Sequence, residues 1–442
     1  MASTSQSVPS LPVVFTTRTQ YPLPSQKFMI PSTWKRYQLS QLINKALSLS
    51  KVVPFDFLIH SEILKGSLGE WSAEKGTGEE ETLEVEYIES IMPPQRMSSL
   101  PHEDWVSSIS CQLPGHFLTA SYDGNLRIFD YSQKLLNGAP IHPAPITSFC
   151  LVPSTSTSTP SEHLLATASH DLTAALTRLK LPEDLTTASM QPLATLHLHT
   201  AALTSIASNS VGNRLLTASL DGLIGVWDTN VPEVDEVPLS QVEAGDRKKR
   251  RRVANDDAER PKRKAPQAVL KSHTARVSKA VFTHENKAVS CGWDSTIREW
   301  DVELQICTHT ITASEKPFTS LTLPSFQTHP QTALASSTDR TTTLFDLRST
   351  AATSSSLSFI HPSMPSSLAF APRPGAQQFV SGAYDGVVRL WDLRSVGREM
   401  ASFKVWDGAK KVLGVDWAKG VVGIAGEGGV EVWRVSEEGT VQ

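Results

Sequence analysis

The chain has 442 residues, 41 basic and 45 acidic, for a net charge of −4; this balance excludes a whole-chain polyanion binder, so any nucleic-acid contact must come from a local patch. Apolar residues make up 39%, with 24 Gly and 28 Pro, a turn-rich composition that suits an all-β protein better than a compact α/β enzyme. The four cysteines (Cys111, Cys150, Cys291 and Cys307) form no C-x-x-C pair and no disulfide framework, the first ten residues lack the regions of a secretory signal, and no apolar run reaches membrane-spanning length.

Residues 11–92 read as one small unit. Leu11–Thr17 and Lys27–Ile30 read as paired strands. In Leu39–Leu47 the apolar residues Leu39, Leu42, Ile43, Ala46 and Leu47 recur at helical spacing, with Ser40 placed to cap the first turn. Pro54–Ile59 and Thr82–Ile88 read as two further strands. The order ββαβ…β is that of a ubiquitin-like β-grasp domain. Residues 93–101 read as a linker.

Residues 102–436 repeat. Leu118–Asp130, Leu216–Asp228, Val289–Asp301 and Val380–Asp392 each give a short apolar strand, a turn containing an acid, and an alternating strand ending in Trp/Phe-Asp. Weaker copies surround Asp171 and Asp339, and a seventh places Glu427 at the turn. The turn acids Asp123, Asp171, Asp221, Asp294, Asp339, Asp385 and Glu427 are spaced by 48, 50, 73, 45, 46 and 42 residues. Apart from one insertion, this is close to the blade period of the WD-repeat family, which the chain resembles over most of its length. The fold expected is mainly β: a seven-bladed WD40 β-propeller preceded by a ubiquitin-like β-grasp (α+β) domain. Only nine residues follow Trp433, so a strand within Pro94–Glu103 is expected to complete blade seven and hide its open edge.

A hydroxyl stands four residues before the turn acid in five copies (Thr119, Thr167, Thr217, Ser290 and Ser381), and a His opens several blades. In WD repeats such residues form a buried network with Asp and Trp. His199, Thr217, Asp221 and Trp227 are similar to one full set, and His273, Ser290, Asp294 and Trp300 to another. A Ser-His-Asp triad is the catalytic alternative. The set recurs blade after blade, whereas a triad occurs once, so satisfied buried polar groups are the better reading.

Residues 229–266 are the insertion. Thr229–Asp246 has five acids and no bases, and Arg247–Lys264 has ten bases in eighteen residues. The clusters Arg247, Lys248, Lys249, Arg250, Arg251, Arg252 and Lys262, Arg263, Lys264 resemble a bipartite nuclear localisation signal. Like charges at this density resist packing, so the loop is expected to be disordered. Contact with rRNA phosphates is the alternative use, and without interleaved aromatics it would not read sequence.

The combination is sharper than its parts. A β-grasp unit, then Tyr87-Ile-Glu-Ser-Ile-Met-Pro-Pro94, then Glu103-Asp-Trp-Val-Ser-Ser108 and seven blades resembles the Ytm family of ribosome-biogenesis WD-repeat proteins, those of the pescadillo and block-of-proliferation complex. Val53–Ile59 and Pro266–Thr274 are similar to that family too. The resemblance implies a non-enzymatic assembly factor of the large ribosomal subunit precursor, working in the nucleolus and nucleoplasm of the nucleus. It implies a propeller docked on the block-of-proliferation WD-repeat protein beside pescadillo, and no membrane partner. It also implies that the AAA ATPase midasin grips the N-terminal domain, with Glu80 completing the shell of a Mg²⁺ held by midasin; the chain itself needs no cofactor. Glu79 and Glu81 flank that position.

Two other assignments compete. A notchless-like factor would share the handle but carry an extra blade. A cullin-4 ubiquitin-ligase receptor would use a W-D-x-R motif, which Trp391-Asp-Leu-Arg394 matches and Phe345-Asp-Leu-Arg348 approaches.

Overall fold

The structure, a computed structural model, describes residues 9–19, 21–49, 52–76, 78, 81–90, 93–153, 162–181, 188–238, 260–312, 315–324, 331–348, 357–373 and 377–435. The chain divides into two compact units. One comprises the N-terminal region to Pro93 with Trp391–Ala401, and the other Pro94–Leu390 with the chain from Ser402 on.

The first unit holds strands β1 (Ser10–Thr16), β2 (Lys27–Pro31), β3 (Phe55–Ile59), β4 (Glu62–Ile63) and β5 (Leu83–Glu89) in one sheet, ordered β2-β1-β5-β3-β4. β1 runs parallel to β5 and antiparallel to β2, while β3 is antiparallel to β5. This is the β-grasp order. Alternation along β1 sends Leu11, Val13 and Phe15 into the core, where they meet Leu39 and Ile43 of helix α1 (Arg36–Ala46). Burying each such side chain contributes about 1.5–3 kcal/mol. Tyr87 of β5 is fully buried; its ring meets Phe55 edge-on at 5.4 Å, and its hydroxyl donates to the Tyr21 carbonyl and accepts from the Leu23 N–H at 3.0 Å.

Two local features differ from expectation. α1 begins a turn earlier than the apolar spacing indicates, capped at Lys35, whose N–H donates to Gln38 Oε1 at 3.0 Å. Ser40 is therefore no cap: its Oγ lies inside the helix and accepts from the Phe55 N–H at 3.1 Å, tying α1 to β3. A second helix, α2 (Leu68–Lys75), was not expected. Its signals are local: Ser67 Oγ accepts from the Glu70 N–H at 3.2 Å, the Ser67 N–H donates back to Glu70 Oε2 at 2.9 Å, and Gly76 ends the helix at φ 68°.

The second unit is the propeller. Among the described residues seven antiparallel sheets follow one another, six of four strands and one with a fifth strand added. Blade one is Val106–Ser110, His116–Ser121, Asn125–Asp130 and Leu135–Pro140, and blade four is Val277–Phe282, Lys287–Gly292, Ile297–Asp301 and Ile306–Ile311. Seven blades exclude the eight-bladed notchless-like alternative. Blade seven takes its outer strand from ahead of blade one. β6 (Gln95–Leu100) pairs antiparallel with Gly429–Arg434, and Leu100 packs with Val430 and Val432.

Blade seven corrects one alignment. In blade one the residues paired around the turn, Ala120 and Leu126, are six apart; in blade seven Ala425 and Val430 are five apart. The Glu427 N–H donates to the Lys411 carbonyl at 3.1 Å, as the Tyr122 N–H donates to the Trp105 carbonyl at 2.8 Å. Glu427 therefore occupies the place before the turn acid, not the acid's own place, because this turn is one residue shorter.

The insertion is the second correction. Its described parts, 229–238 and 260–266, are folded. Lys262–Lys264 forms a short strand parallel to Ala194–Leu196, the fifth strand of blade two. The reason is charge pairing across the loop: Arg260 meets Asp235 at 2.6 Å, the Arg263 N–H donates to Asp235 at 3.0 Å, and Lys264 Nζ binds Asp228 and the Asn230 carbonyl.

Candidate functional site

Glu79 and Glu80 lie outside the described residues. The structure gives the base on which their loop stands. It leaves Gly76 at the end of α2 and enters β5, the central strand of the sheet, at Leu83, whose side chain is buried. Glu81 is exposed, and its N–H donates to the Gly78 carbonyl at 3.2 Å.

Of the basic clusters, Arg247–Arg252 lies outside the described residues. Lys262–Lys264 is described, and it contradicts part of the bipartite reading. Lys264 is buried, 3% exposed, with its ammonium held by Asp228. An import receptor reads accessible side chains, and Lys264 is buried; it is a structural tie. Lys262 and Arg263 remain partly exposed.

The blade networks come together as sets. In blade four His273 Nδ1 lies 2.8 Å from Asp294 and Nε2 2.7 Å from Ser290 Oγ, which also accepts from Trp300 Nε1 at 2.8 Å. In blade three His199 lies 3.0 Å from Asp221 and 2.9 Å from Thr217 Oγ1, to which Trp227 Nε1 donates at 2.9 Å. His142 bridges Asp171 and Thr167 in blade two at 2.7 and 2.8 Å. The hydroxyls of Thr217 and Ser290 are fully buried and each already accepts from an indole, so Ser290 offers no approach for a substrate. Burial would push Asp294 up, but the bonds from His273, Thr296 and the Thr274 N–H hold it well below the usual carboxylate range. His199 is lowered by burial, against the pull of Asp221.

Two blades use a different set. His102 bridges Thr119 and the Leu100 carbonyl at 2.9 and 3.0 Å, and His361 bridges Ser381 and the Phe359 carbonyl at 2.9 and 3.1 Å. Their turn acids pair with an arginine four residues on: Asp123 with Arg127, and Asp385 with Arg389 at 2.7 Å. A guanidinium and an imidazole thus compete for one carboxylate. Six turns share a further bond, from the N–H two residues beyond the acid to its carboxylate, at 2.8–3.2 Å (2.8 Å at Leu223, 3.2 Å at Thr296).

Arg394 and Arg348 both fold back on the aspartate of their own blade. Arg394 Nε and Nη2 lie 2.8 and 2.7 Å from Asp392, and Arg348 Nε and Nη2 lie 3.1 and 2.9 Å from Asp346. The W-D-x-R guanidinium is engaged within its own blade. Among the described residues no group of three or more His, Cys, Asp or Glu could hold a metal ion, and no helix is long and apolar enough to cross a membrane.

Sequence reasoning missed the residues just before the turn acids. Tyr122, Leu220, Trp293 and Tyr384 each donate a backbone N–H to the residue ahead of their blade's innermost strand, at 2.8–3.1 Å (2.8 Å for Trp293, 3.1 Å for Tyr384). This register puts them on one face of the propeller. The signal was present: a large side chain preceding the acid in successive repeats.

Known proteins match the chain in these same parts. The family model of the NLE (NUC135) domain matches residues 11–72, and that of the WD domain, G-beta repeat, matches 95–130, 190–228, 264–301 and 357–392. The ribosome biogenesis protein YTM1 of Laccaria bicolor is 58% identical, covering 99% of this chain and 97% of its own. That of Coprinopsis cinerea is 55% identical over 100% and 97%, and that of Neosartorya fischeri 31% over 93% and 87%. The crystal structure of the WD40 beta propeller domain of Doa1 shares the fold, with a TM-score of 0.56 at 17% identity, covering 77% of this chain and 96% of that one. The chain belongs to the YTM1 family of ribosome biogenesis proteins.

Proposed function

We propose that the chain is a non-catalytic assembly factor of the large ribosomal subunit precursor, and that its two units are two grips. The propeller docks on the block-of-proliferation WD-repeat protein in a complex with pescadillo. The β-grasp unit is the handle by which midasin removes that complex from the particle. The observation that carries this reading is the pairing, in one chain of a ribosome biogenesis family, of two units with separate cores. Removal by force needs one attachment to the load and another to the motor.

The handle acts through Glu80. Mg²⁺ demands near-octahedral oxygen ligands, and one incoming carboxylate can complete a shell otherwise filled by the partner and water. The metal belongs to midasin. The basic stretch Arg247–Arg252 serves nuclear import, which places the protein in the nucleolus and nucleoplasm; rRNA contact through the same stretch is a secondary use. The test is affinity purification of the tagged full chain with analysis of bound protein and RNA. Recovery of the two complex partners with large-subunit rRNA precursors supports the proposal. A cullin-4 adaptor in their place would overturn it.

A further inference from the structure

The propeller face that carries the turns has an unusual surface. Trp293, Leu220, Trp105 and Tyr384 are 41%, 40%, 44% and 36% exposed. Scattered exposed apolar side chains need no explanation, but a contiguous set does. The packing joins these positions in two stretches, one across blades one and two and one across blades three and four. The ring of Trp105 lies 5.8 Å from Tyr122, which lies 6.4 Å from His170 of the next blade. The turn of blade three, at Gly222, abuts the Ala275 carbonyl beside Arg276, whose own carbonyl receives the Trp293 N–H.

Arg276 gives the face its chemistry. Its guanidinium lies over the Trp293 ring, 3.7 Å from the centroid. Among the described residues its side chain has no hydrogen bond or ion pair. A stacked guanidinium is fixed in plane while its N–H edges point outward, which is the arrangement that receives a carboxylate in two parallel bonds. Lys411 repeats the theme less completely, 5.5 Å over the Tyr384 ring but 3.6 Å from Glu427. Trp, Tyr and Arg are the side chains enriched among the few that carry most protein–protein binding energy.

We infer that this face docks a protein segment that places an aliphatic side chain against Leu220 and Trp293 and an adjacent carboxylate on Arg276. The inference rests on the assembly-factor reading only for where the partner is found. Charge and stacking select an acidic segment over RNA, whose phosphates would also seek Arg276 but whose bases would need a more continuous set of exposed rings. A second copy of the chain would have to bring its own acid to the same face, and Glu427 is already taken by Lys411.

The test is photo-crosslinking of the full chain in a fraction containing large-subunit precursors. p-Benzoylphenylalanine is placed at Leu220 and, as a control outside this face, at Leu304. The expected result is crosslinking from position 220, but not 304, to one protein segment with a carboxylate beside an aliphatic residue. Arg276→Glu should reduce it about tenfold or more, with an unchanged melting temperature, and Arg276→Lys should do so less. Crosslinks to RNA, to a basic segment or to a second copy would overturn the inference. So would Arg276→Glu crosslinking as the parent does, or no crosslink from position 220. Co-sedimentation of the chain with the precursor, read in the same gradient, reports separately on the assembly-factor reading.

Discussion

At the residue scale, buried polar sets fix the blades. Asp294 has four kinds of donor around it, whereas Asp339 holds only its own turn through Thr341. Asp294→Ala should therefore cost roughly 1–3 kcal/mol and Asp339→Ala less, by denaturant unfolding; equal costs would show that the His–Ser–Trp set adds nothing. The pH dependence has a definite sign. Burial holds the folded His199 below the ordinary imidazole value of about 6.5. Its contribution is complete above that value and is lost as pH falls below it, since the unfolded chain then takes up a proton that the folded chain resists. The drop in melting temperature from pH 7 to 5.5 should be smaller in His199→Asn than in the parent. Equal drops would contradict the assignment. Leu172 stands at φ 70° where three other turns use glycine, Gly124, Gly222 and Gly386. Leu172→Gly should stabilise by about 0.5–1 kcal/mol by relieving a left-handed side chain; a lower melting temperature would mean that the exposed leucine is held by packing. The His, hydroxyl, Asp and Trp positions were legible because their spacing repeats. The competition from Arg127 and Arg389 was not, since Arg298 stands at the same offset in blade four and still leaves Asp294 with His273.

At the element scale, closure depends on β6. Leu100 is fully buried among Val430 and Val432, so Leu100→Ala should cost about 2–5 kcal/mol and speed exchange of blade-seven amides first; uniform exchange would contradict closure by this strand. The need for such a strand was legible because a propeller must hide its open edge. α2 was not: eight residues give little periodicity, and only the Ser67–Glu70 box and Gly76 mark its ends. The folded part of the insertion was hidden for another reason. Counting like charges along the chain misses acids about thirty positions away: Asp228 pairs with Lys264 and Asp235 with Arg260, while Asp235 and Glu236 accept from the Arg263 and Ala265 N–H groups. Replacing Lys248–Arg252 by Ala should move the protein toward the cytoplasm without loss of stability. Lys264→Ala should instead lower the melting temperature and leave import unchanged. The reverse pattern would restore the bipartite signal.

At the scale of the whole molecule, the proposed division of labour assigns docking to the propeller and the handle to the β-grasp unit. Blade number follows from a period that a reader of the sequence can count, and the β-grasp order from the succession of strands and helix. The proposed handle would rest on one carboxylate, and a single Glu among Glu79, Glu80 and Glu81 has no periodic signature. The most direct measurement is a pull-down of the full chain by midasin's adhesion domain, with Mg²⁺ and with EDTA, across single substitutions at these three positions. Glu80→Ala and Glu80→Gln should abolish binding to the level seen in EDTA, with Glu80→Asp weakened and an unchanged melting temperature throughout. Loss at Glu79 or Glu81 instead would shift the site by one residue. Normal, EDTA-insensitive binding by all three variants would contradict the handle.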